Sequence, residues 1–138
     1  MGRRNKGRMK IEGDLEPLTV YSYHVSPAMD DLVKNVLKRI PESYTEDFPS
    51  FSVSESPSEW GAHVDEENIN LDSDLLNEPK DVAIGTIAHE FAHLFLGHAA
   101  PGSLQDEYEA DTLAKKWGFK KQIKAMRKRY GPPSDGLR

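Results

Sequence analysis

The sequence predicts an α+β domain, and three observations carry that prediction. Residues 19–25, TVYSYHV, concentrate β-branched and aromatic side chains, and two shorter stretches of strand character, WGAHV and NINLD, lie between residues 60 and 72. From residue 80 onward the apolar spacing is helical through three successive segments. Strands and a single helix come first and helices follow, the segregated order of α+β folds.

The elements can be justified in turn. After the first strand, SPAMDDLVKNVLKRIP begins a helix with Ser26 as N-cap, Pro27 at the first position and Asp30 and Asp31 in the first turn. Leu32, Val33, Val36, Leu37 and Ile40 keep the helical period, and Pro41 stops it. Residues 41–60 are rich in Pro, Ser and Glu and read as loop, with a short strand at FSVS. WGAHV and NINLD are expected to pair across the turn DEEN. A long helix opens at Lys80 or Asp81 and closes at Gly97. SLQDEYEADTLAKKW is a further helix, with Ser103 as N-cap and Gln105, Asp106 and Glu107 in its first turn. Gly118 breaks it, and FKKQIKAMRKRY is a basic amphipathic helix ending at Gly131-Pro132-Pro133. One domain over 16–131 is expected, between flexible tails at 1–15 and 132–138.

Composition narrows the function classes. At 138 residues, 37% apolar and 30% charged, the chain can bury one modest core under a well-solvated surface. No apolar run reaches the length of a membrane span, and no apolar stretch follows the basic MGRRNKGRMK as a secretory signal would require. The absence of cysteine excludes disulfides, thiolate metal sites and a cysteine nucleophile, and fits a cytoplasmic protein. The net charge of −5 hides segregation: residues 1–10 carry five basic side chains and no acidic one, 11–114 carry 22 acidic against four basic, and 115–138 carry nine basic against one acidic. Two basic ends flank an acidic body.

Within DVAIGTIAHEFAHLFLGHAAPG, His89, Glu90 and His93 stand in the spacing HExxH. A helix turns about 100° per residue, so His89 and His93 point within about 40° of each other, one turn apart. Two such imidazoles suit adjacent corners of a tetrahedral zinc site, and histidines in so apolar a run are costly to bury unless something uses their nitrogens. Glu90 is rotated away from both, so it is not a ligand but can reach a water beside the metal as general base. His98 is an obvious third candidate, yet it is out of register and on a continued helix would point about 180° from His89. A surface or capping role suits it better. Glu107 and Asp111 lie at i and i+4 on the next helix, so one can bind metal while the other hydrogen-bonds a ligating histidine. Glu109 falls on the opposite side and should face solvent. Read alone, DEYEAD is an acidic helix start that suits the dipole.

HExxH followed by a helix bearing ExxxD resembles the gluzincin metallopeptidases. The form EYEAD followed by LAKKWGF is similar to the small intracellular members, the minigluzincins and ImmA/IrrE-like peptidases. The resemblance covers roughly residues 68 to 119, about a third of the chain. It implies His89, His93 and Glu107 as ligands of one catalytic zinc, Glu90 as general base and Asp111 as the hydrogen-bond partner of His89. It also implies a small mixed sheet packed on the HExxH helix, whose edge strand, here WGAHV or NINLD, pairs with an extended substrate. His63, Tyr108 and Tyr130 are candidates for steadying an oxyanion. Only thirteen residues separate His93 from Glu107, which leaves little room for a substrate-binding subdomain.

The implied activity is hydrolysis of peptide bonds in a peptide or protein substrate, by attack of a water that the zinc activates and Glu90 deprotonates. The basic helix at 119–130 admits three readings: Phe119, Ile123 and Met126 pack on the core; the segment folds over an acidic cleft and keeps the enzyme latent; or it contacts nucleic acid. The competing function class is a non-catalytic zinc-binding or nucleic-acid-associated module on the same framework. Such a module has no need of a base at Glu90.

Overall fold

In the central strand, Phe51 and Val53 point into the core while Ser52, Ser54 and Ser56 alternate outward, the period-two pattern of a sheet with one covered face. The computed structural model describes residues 8–10, 19–23, 25–45, 50–56, 63–65, 68–98 and 103–133. Five strands form one mixed sheet: β1 (Arg8–Lys10), β2 (Thr19–Tyr23), β3 (Ser50–Ser56), β4 (His63–Asp65) and β5 (Asn68–Asp72), in the order β1-β2-β3-β5-β4. β2, β3 and β5 run parallel, and β1 and β4 close the two edges antiparallel. Helix α1 (Pro27–Leu37) lies between β2 and β3 in the chain, as a parallel connection requires. Ser26 caps it, its hydroxyl accepting from Met29 N at 3.2 Å.

One part of the 41–60 stretch differs from the loop expected there, and the short strand expected at FSVS is present but longer. Glu42–Thr45 forms a short helix, α2, and β3 extends over seven residues at the middle of the sheet. Serine, a turn former, occupies the outward positions 52, 54 and 56, so the sequence alone suggests a shorter strand. The serines are not idle: Ser52 Oγ donates to Asn68 Oδ1 at 2.7 Å, and Ser54 and Ser56 donate to Asn70 Oδ1. These bonds form a polar ladder across β3 and β5. Arg8–Lys10, within the stretch expected to be a tail, pairs with β2. The remaining expectations for the two ends fall largely outside the described residues.

The covered face of the sheet meets α1 and the long helix α3 (Lys80–Leu96), with Phe51 edge-on to Phe91 at 5.2 Å between ring centres. Every residue of α3 from Val82 to Leu94 is buried, so this helix is the axis of the domain rather than a surface element. Helix α4 (Leu104–Ala114) follows, then one wide π turn over Lys115–Phe119, and α5 (Lys120–Tyr130), which lies against α3. Phe119, Ile123 and Met126 are buried, so α5 packs on the core through its apolar face. Contact with α3 is close at Gly85, where a Cβ would stand 2.2 Å from the backbone oxygen of Gln122. Among the described residues no helix is long and apolar enough to cross a membrane.

The joint between α4 and α5 turns on Gly118, whose φ of +103° is open to glycine and strained for other residues. The Arg39 guanidinium donates to the Gly118 carbonyl and stacks over the Phe119 ring, 4.1 Å from its centre. Gly118→Ala should therefore destabilise the fold by about 1–2 kcal/mol, read as a lowered urea midpoint at unchanged slope. A midpoint at or above that of the parent would show that the joint relaxes without strain.

Candidate metal centre

The site is built from α3 and α4. α3 carries His89 and His93 one turn apart with Glu90 between them, all buried. Gly97, in the left-handed conformation at φ +77°, ends the helix with a paired C-cap: Gly97 N donates to Leu94 O at 3.1 Å and His98 N to His93 O at 3.0 Å. α4 starts on a capping box, Ser103 Oγ accepting from Asp106 N and Asp106 accepting from Ser103 N. Glu107 and Asp111 then share its inner face with fully buried Ala110 and Ala114.

The side chains converge. His89 Nε2 lies 3.1 Å from Glu107 Oε1, His93 Nε2 lies 3.0 Å from Glu107 Oε2, and the two Nε2 atoms are 3.1 Å apart. On its other nitrogen His89 meets Asp111, Nδ1 to Oδ1 at 2.8 Å. Asp111 also receives Arg127 of α5, Nε to Oδ2 at 2.8 Å and Nη2 to Oδ1 at 3.0 Å, and Arg127 Nη2 reaches Glu107 Oε1 at 3.6 Å. The described residues thus place His89, His93 and Glu107 in one buried cluster of metal-ligating type.

Proton counting tests whether this cluster suits a metal. Asp111 as a carboxylate can only accept, so His89 donates to it from Nδ1 and in the neutral ring keeps a bare lone pair on Nε2. That lone pair faces a carboxylate oxygen and a second imidazole nitrogen. Three acceptors pointed at one another repel unless a cation joins them, and two imidazoles with one carboxylate are a catalytic zinc set with one position open. Bonds of about 2.0–2.1 Å in tetrahedral geometry put neighbouring donor atoms about 3.3 Å apart, close to the separations found. The residues fit a divalent ion.

Electrostatics point the same way. Burial by itself would lower the His89 pKa, but the hydrogen bonds to Asp111 and Glu107 and the charges of Glu90 and Glu107 outweigh it and raise the imidazole above its ordinary 6.5. Burial would likewise raise Asp111, yet its bonds to His89 and Arg127 hold the carboxyl below its ordinary 3.8.

The structure places His98 apart from the cluster of His89, His93 and Glu107 but not on a plain surface. Its Nδ1 lies 3.0 Å from His93 Nδ1, and its Nε2 lies 3.0 Å from Glu109 Oε1 and 3.4 Å from Asp106 Oδ1. With His93 Nε2 turned to the cluster, His93 Nδ1–H donates to His98, and His98 Nε2–H donates to Glu109. Glu109 is exposed, as its helix position implies, and its carboxylate folds back onto His98. Sequence reasoning missed this link and that of Arg127. Tyr130 stands against Glu78 and Arg129, and Tyr108 is exposed; the side chain of His63 lies outside the described residues.

Comparison with known proteins gives one family. A family model described as YgjP-like, metallopeptidase domain, matches residues 20–98, more than half of the chain. No curated protein and no solved structure matches. The matched stretch includes α3 and ends before α4, so it does not reach Glu107, Asp111 or Arg127, whose place beside the two histidines is seen in the geometry of α4 and α5.

Proposed function

Because the chain belongs to the YgjP-like metallopeptidase domain family, we propose that it is a zinc-dependent endopeptidase of gluzincin form, with His89, His93 and Glu107 as zinc ligands, Glu90 as general base and Asp111 orienting His89. The observation that carries the reading is the convergence of three buried lone-pair donors from two helices, two imidazoles and one carboxylate, within about a hydrogen-bond length of each other.

A zinc ion held there supplies a Lewis acid that acidifies a water and polarises a peptide carbonyl. The chain supplies the rest. Asp111 fixes the His89 tautomer so that Nε2 stays free to ligate, and His98 does the same for His93. Glu90, beside His89 and turned off the ligand direction, accepts the proton of the attacking water and returns it to the leaving amine. A buried carboxylate at that position has no use in a purely structural site, which favours the enzyme over the non-catalytic module. The substrate is a peptide or protein, and no membrane or nucleic acid is needed for the chemistry.

Metal analysis of the purified protein, followed by cleavage assays on a peptide library, tests the reading. The parent protein should hold one zinc per chain and lose its cleavage to a chelator. Glu107→Ala should lose zinc affinity by at least about 100-fold, since one of three protein ligands is gone. Stoichiometric zinc retained by Glu107→Ala would reject this ligand set.

A further inference from the structure

The basic C-terminal helix does more than pack. Arg127 is the side chain by which α5 reaches the metal centre, gripping both oxygens of Asp111 and approaching Glu107. Its guanidinium is mostly buried, with 19% of the side chain exposed. Arg129, two residues on, makes an ion pair of the same form with Glu78, at 2.9 and 3.1 Å, but with 54% of its side chain exposed. Two arginines of one helix thus make matched two-pronged bonds, and only one of them touches the ligand cluster.

We propose that Arg127 is a positioning residue of the metal centre: its fork fixes the plane of the Asp111 carboxylate, so that Oδ1 is aimed at His89 Nδ1 and His89 Nε2 is held toward Glu107 and His93. The proposal rests on the metallopeptidase reading above. Two arguments carry it. The first is geometric. A carboxylate held at one oxygen can swing, whereas one held by Nε and Nη2 together is locked, and planar bidentate recognition is what distinguishes arginine from lysine. The second is charge. Glu90, Glu107 and Asp111 are the buried carboxylates among the described residues. A divalent ion balances two of these negative charges, and Arg127 balances the third. Without Arg127 the loaded cluster keeps a net negative charge in a poorly solvated interior, a costly state. The same cation approaches Glu107 and so limits that carboxylate's freedom to turn away from the ligand position.

The test uses the full-length protein, zinc titrated against a chromogenic chelator, and visible spectra of the cobalt(II)-substituted form, which report ligand geometry independently of turnover. Arg127→Met should weaken zinc binding by about 10–100-fold and alter the cobalt bands. Arg127→Lys, which keeps the charge and loses the fork, should recover only part of the affinity and retain altered bands. Arg129→Met, which removes the matched outer ion pair, should bind zinc as the parent does. Parental affinity and spectrum in Arg127→Met would overturn the proposal, as would equal losses in Arg127→Met and Arg129→Met, which would reduce the effect to helix docking. Should Arg127→Met fail to fold, Arg127→Lys decides alone: a parental spectrum there rejects the fork. A parent protein that binds no zinc is a different failure and rejects the metallopeptidase reading itself.

Discussion

Replacing Glu90 by glutamine should leave a folded, zinc-loaded protein that no longer cleaves peptides. The size of the loss follows from the role. A positioned acid–base group contributes about 10²–10⁴-fold, and Glu90 serves twice, first accepting the proton of the attacking water and then delivering it to the amine. A fall of about 10⁴-fold, equivalent to about 5 kcal/mol of barrier, is therefore expected. Glutamine keeps the volume and removes only the charge, so at a position 2% exposed it should not disturb packing. Zinc content and melting temperature measured on the same preparation separate this outcome from misfolding. Full activity with stoichiometric zinc would remove Glu90 from the mechanism and require a different general base.

The largest effect on stability is expected far from the chemistry, at Gly85. In an isolated helix Gly→Ala gains about 1 kcal/mol of propensity. Here the new Cβ would sit 2.2 Å from the Gln122 oxygen and 2.7 Å from the Gln122 carbonyl carbon. Those are backbone atoms, so no side chain can turn away, and the whole of α5 must shift. Overpacking of this kind costs about 3 kcal/mol or more and outweighs the propensity gain. A net loss of about 2 kcal/mol should lower Tm by about 7 °C in a chain of this size. If Arg127 acts as proposed, the same substitution should also weaken zinc binding, because moving α5 withdraws the guanidinium from Asp111. Gly85→Ala as stable as the parent would mean that the two helices separate at little cost.

How much of this was legible in the sequence differs by element. The long helix and its end were readable because a start signal, an apolar run and Gly97 agree over seventeen residues. FSVS was readable as a short strand, but the full length of β3 and its place at the centre of the sheet were not, since these come from neighbours on both sides rather than from its own composition. Among the site residues, the HExxH pair follows from helical spacing, and the assignment of Glu107 and Asp111 needed the family resemblance to choose between them. His98 escaped because a continued helix would carry it away, whereas the C-cap at Gly97 folds it back beside His93. Arg127 escaped for a larger reason. Its approach to Asp111 depends on the turn at Gly118 and the helix crossing at Gly85, tertiary facts that no local pattern encodes.

The crossing at Gly85 also has a consequence in time. A ribosome releases this chain from its N-terminus, so the sheet, α3 and α4 emerge before α5, the last of the described helices. Until α5 is out, the strip of α3 around Gly85 lacks its cover and Asp111 lacks its arginine. A nascent chain can hold both histidines and Glu107 and still want the piece that sets them. If Arg127 acts as proposed, maturation of the centre is thereby deferred until α5 has left the ribosome.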